Sequence, residues 1–170
     1  MLTTPQVLIV MGSDSDLPVM QEASDILATF GVPSEMRISS AHRSPDRTAA
    51  LASDAATRGI RVIIAGAGMA AHLAGVIAAE TTLPVIGVPM PGGALNGVDA
   101  LYATVQMPGG IPVATMAIGK AGAKNAGIFA VQILALTDVR LADALREFRM
   151  EMDREVERKD AELQVAKSAA

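Results

Sequence analysis

Short, unbroken runs of β-branched residues, each closed by glycine or proline and followed by a helix-length stretch, constrain this chain more than any other feature. Residues 6–11 (QVLIVM), 61–65 (RVIIA) and 84–88 (PVIGV) show no apolar–polar alternation. They read as strands covered on both faces, the signature of a parallel sheet. Residues 34–39 and 111–117 read as two further strands. Between them the expected helices run from Asp16, with Pro18 in the first turn, to about Phe30; over 45–58; from about Ala70 to Glu80; from Val98 to about Gln106; and over 121–136. Gly31 and Gly59 stand where such helices stop. Alternating strands and helices predict a three-layer, doubly wound α/β fold. No GxGxxG follows the first strand, which suggests a flavodoxin-like layout of five strands.

The core must be built from small and aliphatic side chains, since 51% of the residues are hydrophobic but only 2% aromatic. The helix at 121–136 is apolar almost all round, which predicts burial on every side and a homo-oligomer. From Asp138 onward the composition turns to charge. Leu141, Leu145, Phe148 and Met152 recur at spacings of four, three and four, one apolar stripe on a charged helix. That stripe covers either its own domain or a neighbouring subunit. The organisation read here is one domain over 1–165, with 138–165 as a C-terminal helix and 166–170 as a tail.

No cysteine is present, which removes disulfides, thiolate nucleophiles and cysteine-ligated metals. No apolar stretch reaches the roughly 18 residues of a membrane span, and no basic segment followed by an apolar one opens the sequence. A net charge of −4, one Tyr and three Phe argue against a nucleic-acid surface. The expectation is a soluble, cytoplasmic protein.

Three loops fall at the carboxyl ends of expected strands, where ligands bind in open α/β sheets. Gly12-Ser13-Asp14-Ser15-Asp16 offers hydroxyls and helix amides to an anion, with Asp16 available to ribose hydroxyls; simple helix capping by Ser15 or Asp16 also fits. Ser40-Ala41-His42-Arg43 delivers a proton-exchanging imidazole beside a planar fork of donors suited to phosphate, or is a solvated loop. Gly66-Ala67-Gly68-Met69-Ala70-Ala71-His72 lets backbone approach a ligand, and His72 either lines the crevice or packs in its helix. The segment 119–126 lacks the Walker A spacing, so no ATP site is expected.

The stretches 10–16 (VMGSDSD), 40–46 (SAHRSPD), 65–73 (AGAGMAAHL), 106–113 (QMPGGIPV) and 117–122 (AIGKAG) stand in the order of a known family. Over roughly residues 6–150 the chain resembles the PurE family, class I, the N5-carboxyaminoimidazole ribonucleotide mutases of de novo purine synthesis. The resemblance implies a cofactor-free, metal-free isomerase that moves a carboxylate from the exocyclic nitrogen N5 to ring carbon C4. Substrate loses CO2 in a closed site, C4 attacks the trapped CO2, and the ring then loses its C4 proton. It further implies His42 as the acid and base, and Ser13, Asp16 and Arg43 as substrate-binding residues. Ser15, Ser40, Ala41, Ala67, Gly68, His72 and Leu73 would line the pocket, with phosphate on Ser15, Ser40 and Arg43 and ribose on Asp16. A homo-octamer and a separate ATP-dependent synthetase that makes the substrate are implied as partners.

The chain departs from the family's pattern at Met69, where glycine is common, at Ala74, where proline is, and at Gly92, where serine is. Arg43 and Ala70-Ala71-His72 point to class I. Class II members commonly carry lysine after the motif histidine and carboxylate aminoimidazole ribonucleotide directly with CO2. That activity and a catalytically silent nucleotide-binding homologue are the alternatives.

Overall fold

A computed structural model describes residues 4–168 and divides the chain into two compact units, Met1–Ile133 and Leu134–Ala170. In the first unit, β1 (Val7–Met11), β2 (Ser34–Ile38), β3 (Val62–Ala67), β4 (Val85–Pro89) and β5 (Ala114–Thr115) form one parallel sheet in the order β2-β1-β3-β4-β5. This is the flavodoxin-like order expected, and it reverses direction between β1 and β3. Every residue of β1 and β4 is buried, as the unbroken apolar runs predict, whereas edge strand β2 is half exposed.

The helices are α1 (Leu17–Thr29), α2 (Pro45–Ser53), α3 (Leu73–Glu80), α4 (Val98–Val105), α5 (Lys120–Ala135) and α6 (Val139–Ser168). One face of the sheet gathers Leu8, Val10, Ile63 and Ala65 with Ala52 of α2 and Leu73, Ala74 and Ile77 of α3. On the other, α1 buries Met20, Ala23, Ile26 and Leu27, a helical stripe, and α5 passes close enough for Gly127 to lie against Ala23 and Ile26. Burying each Leu or Ile of this kind contributes roughly 1.5–3 kcal/mol. A left-handed Gly31 (φ 66) stops α1: its N–H donates to Ala28 O, and that of Val32 donates to Leu27 O, the paired C-terminal bonds such a glycine permits.

Several boundaries differ from the sequence reading. The helix expected over 45–58 ends at Ser53 and resumes as a 3-10 turn, Ala56–Arg58. Ser53 Oγ donates to Ala50 O and Thr57 Oγ1 to Asp54 O, hydroxyl bonds that compete with the helical ladder. The helix expected from about Ala70 starts at Leu73, because Met69 is left-handed (φ 51) and Ala71 and His72 form tight turns onto the carbonyls of Met69 and Ala70. The fifth strand, expected over 111–117, keeps only two residues: Pro112 has no N–H for the ladder, and the chain leaves the sheet after Met116 bonds Gly87 O.

Helix α5 does not bury itself on every side within the chain. Gly122, Ala123, Ala126, Ala130 and Val131 are covered, while Ile128, Phe129 and Ile133 are half-buried. In the second unit, α6 is a single helix of 30 residues. Its expected stripe grades from buried Leu141 through half-buried Leu145 and Phe148 to exposed Met152. The tail expected at 166–170 is helical as far as Ser168; Ala169 and Ala170 lie outside the described residues. Among the described residues no helix is long and apolar enough to cross a membrane.

Candidate functional site

At the carboxyl ends of β1, β3 and β4 the sheet hydrogen bonds continue past the strands, so the loops there are held in register. Gly12 N–H donates to Gly66 O, Ser39 N–H to Met11 O and Met90 N–H to Ala67 O. Where the strand order reverses between β1 and β3, these loops enclose a cleft of about 550 Å³. No ligand-holding constellation of three or more metal-binding side chains occurs among the described residues.

The loop after β1 forms a 3-10 turn, Asp14–Asp16, capped from both directions. Ser13 Oγ accepts from Ser15 N–H at 3.3 Å, and Asp16 Oδ2 accepts from Ser13 N–H at 3.1 Å. The capping expected from Ser15 or Asp16 falls instead to Ser13, and Asp16, at the N-cap of α1, makes no side-chain bond to that helix; Ser13, Ser15 and Asp16 all face the cleft. Ser15 Oγ donates to Ser13 Oγ at 3.0 Å, which gathers two hydroxyls at one point. Burial is the largest influence on Asp16 and raises its carboxyl above the usual aspartate range. The neighbouring charge of Asp14 adds to the rise, and the amides of Ser13 and Gly12 offset part of it.

The loop after β2 is braced from below. Ser39 and Thr48 are both buried, and their hydroxyls share a hydrogen bond of 2.8 Å. Above them Ser44 Oγ accepts from Ser40 N–H and donates to Ser40 O, and Ser40 Oγ accepts from Arg43 N–H. Ser40 to Ser44 are thus wound into a small closed turn that fixes the direction of His42 and Arg43. The Arg43 guanidinium donates to Gly12 O at 3.2 Å, tying this loop to the one after β1 and setting its charge beside the hydroxyls of Ser13 and Ser15. Arg43 also borders an adjoining hollow with Arg47 and Ser44, so a second cation stands near the first.

The third loop supplies Ala67, Gly68, Met69, Ala70 and Leu73 to the cleft wall. His72 is absent from that wall and instead stands behind it: its Nδ1 lies 2.8 Å from His42 Nε2, with the rings edge to face at 84° and 4.9 Å between centroids. Of the residues singled out from sequence, Ser13, Ser15, Asp16, Ser40, Ala41, His42, Arg43, Ala67, Gly68 and Leu73 all line the cleft. His72 meets it only through His42.

A fourth loop, after β4, adds Met90, Pro91, Gly92 and Gly93. In the sequence this stretch stands out only by its departure at Gly92; the available signal is its position after a buried strand, at the same sheet end as the others. Two of the three departures meet here. Met69 is 63% exposed, and its side chain lies against Gly93, whose own added Cβ would fall 3.2 Å from Met69 Cγ. The left-handed backbone of Met69 is one that glycine adopts without steric cost. Gly92 has φ 130 with open space around it, so a serine there needs a different loop conformation. Ala74 is buried in the first turn of α3.

Comparison with known proteins places these features in a wider set. The family described as AIR carboxylase matches residues 6–155. The chain is 59% identical over 145 residues to the N5-carboxyaminoimidazole ribonucleotide mutase of Bacillus subtilis, covering 85% of this chain and 90% of that protein. It is 56% identical over 152 residues to the mutase of Thermotoga maritima, covering 89% and 88%. Among solved structures it is similar to Treponema denticola PurE, with a TM-score of 0.85 at 28% identity over 94% of this chain and 98% of that one.

Proposed function

Because the chain belongs to the AIR carboxylase family, we propose that it is an isomerase interconverting N5-carboxyaminoimidazole ribonucleotide and 4-carboxy-5-aminoimidazole ribonucleotide in de novo purine synthesis. The observation that carries this reading is one imidazole, His42, fixed in the cleft wall between a hydroxyl-rich turn and a guanidinium. The reaction needs a proton delivered to the departing nitrogen and later one removed from carbon C4, and an imidazole does both. The C–N bond to the carboxylate breaks and its electron pair takes up a proton at N5. The C4–carbon bond then forms on the released CO2, and the C4 proton leaves to restore the aromatic ring. Apolar Ala70 and Leu73 and the Met69 side chain border the space in which CO2 is held.

In this reading Ser15, Ser40 and Arg43 hold the phosphate, Asp16 holds the ribose, and Ser13 completes the binding turn. Incubation with N5-carboxyaminoimidazole ribonucleotide should yield the C4-carboxylated product without ATP or added bicarbonate. Product formed only from aminoimidazole ribonucleotide and high bicarbonate would replace the mutase by a direct carboxylase; binding with no product by either route would make it a silent homologue. Arg43→Ala should weaken product binding by roughly 1.5–3 kcal/mol, the worth of a charged hydrogen bond, read by calorimetry. Unchanged affinity would remove Arg43 from the phosphate site.

The same reading carries a cytoplasmic location, an upstream ATP-dependent synthetase and a homo-octamer. Half-buried Ile128, Phe129 and Ile133 on α5 support association, as does the hollow of about 880 Å³ that Phe129 and Ile133 share with Ala78, Leu83 and Pro84. Such apolar surface is characteristic of subunit contacts, and α6 offers a further stripe for laying across a neighbour. A monomeric mass in light scattering would overturn the oligomer.

A further inference from the structure

We infer that His72 is a positioning residue for His42, fixing which ring nitrogen of His42 carries the proton that the reaction uses. The inference rests on the reading of His42 as the acid and base. Its ground is the contact of 2.8 Å between His42 Nε2 and His72 Nδ1, made across two loops thirty residues apart in sequence.

A neutral imidazole has one N–H and one bare nitrogen. The contact therefore forces opposite roles on the two facing atoms. If His42 Nε2 donates, His42 Nδ1 is bare and acts as a base; if His72 Nδ1 donates, His42 Nδ1 carries hydrogen and acts as an acid. Either way Nε2 is occupied by His72, and Nδ1 is the nitrogen of His42 left for a bound ligand. With both rings protonated two N–H groups would face each other and the hydrogen bond would be lost. A histidine whose second nitrogen is engaged is held in orientation as well as in tautomer.

Both backbones are fixed, which is what makes the contact informative. His42 sits in the turn closed by Ser40 and Ser44, and His72 donates its own N–H to Ala70 O at 2.8 Å while its carbonyl accepts the first helical bond of α3, from Val76. The left-handed Met69 delays the start of α3 until Leu73, so His72 leaves the end of the loop toward β2 rather than lying along a helix flank. Both rings are exposed in the free protein, where water competes for the same nitrogens. A ribonucleotide filling the cleft displaces that water, and the His42–His72 contact then counts most at the moment of reaction.

The experiment compares His72→Leu and His72→Asn with the wild type in the mutase assay, with His42→Asn alongside. The amide of asparagine stands near the place of Nδ1 and keeps a donor and an acceptor there; leucine keeps neither. His72→Leu should lower kcat on the order of tenfold to a hundredfold, the usual cost of losing a group that orients an active histidine, with KM unchanged. His72→Asn should restore most of that loss. Full turnover by the leucine variant, a change confined to KM, or an asparagine variant as slow as leucine would each overturn the inference.

Because the chain holds only two histidines, nitrogen-15 spectra of the rings in the wild type give a second measure that needs no variant to fold. With both rings in the neutral form, His42 Nε2 and His72 Nδ1 should share one hydrogen, one of them protonated and the other bare, whereas both bare or both protonated would overturn the inference. A fully active His42→Asn would instead sink the acid–base reading itself; an inactive one beside a full-rate His72→Leu sinks only the role of His72.

Discussion

Turnover of His42→Asn should fall by on the order of 10²–10⁴, the usual worth of a positioned acid or base, while ribonucleotide binding survives. Asparagine keeps a polar group of similar reach into the turn between Ser40 and Ser44 but cannot release and recapture a proton. The binding side chains Ser13, Ser15, Asp16 and Arg43 are held by contacts that do not pass through the imidazole: Ser13 and Asp16 by the reciprocal cap, Ser15 by Ser13 Oγ, and the Arg43 guanidinium by Gly12 O, with the Arg43 backbone N–H on Ser40 Oγ. Calorimetry with product and initial rates with substrate separate the two effects. Near wild-type rates would reject His42 as the proton-transfer group, and equal losses in binding and rate would make it a ligand for the ribonucleotide instead.

What the sequence discloses, and what it hides, follows from how far apart the causes lie along the chain. Strand β1 is legible because seven letters, Gln6 to Gly12, hold both the two-sided burial and its end. The three loops named from sequence line the cleft for a similar reason: each follows a legible strand, and the strand order 2-1-3-4-5 brings those ends together. The start of α3 is illegible because Ala70, Ala71 and Leu73 are good helix formers, and only the left-handed Met69 keeps the first two out. The final strand shrinks to Ala114–Thr115 because its pairing depends on where Pro112 falls against β4. Helix α6 outlasts its apolar stripe, running on to Ser168 through Arg158–Glu155 and Lys159–Glu155 pairs that favour a helix at three- and four-residue spacing. The His42–His72 contact leaves no periodic trace at all. Its two loops meet only because β1 lies between β2 and β3 in the sheet, so the packing role weighed for His72 from sequence gives way to a hydrogen bond.

The largest structural effect should come from a single methyl group, in Gly122→Ala. A Cβ at Gly122 would lie 1.6 Å from the carbonyl oxygen of Ala117 and 2.6 Å from its carbon. Both obstacles are backbone, so no rotamer change relieves them; either the first turn of α5 or the segment joining it to β5 has to move. That segment is anchored, since left-handed Gly119 donates its N–H to Pro89 O at 2.9 Å and accepts from Ala123 N–H at 3.0 Å. Overpacking against a fixed backbone usually costs about 1–3 kcal/mol and sometimes more, and a clash this deep belongs at or above the upper end. The cost should reach function as well, because Pro89 leads directly into the cleft residues Met90 to Gly93. Gly109→Ala is the matching control: a Cβ there meets nothing within 4 Å, and its φ is not positive. Fixing that backbone should leave stability unchanged or raise it by about 0.4–1 kcal/mol. Urea denaturation of the two variants decides the matter, since the sequence offers two glycines of similar appearance and only the packing around them differs. Equal midpoints would mean that α5 starts elsewhere than against Ala117.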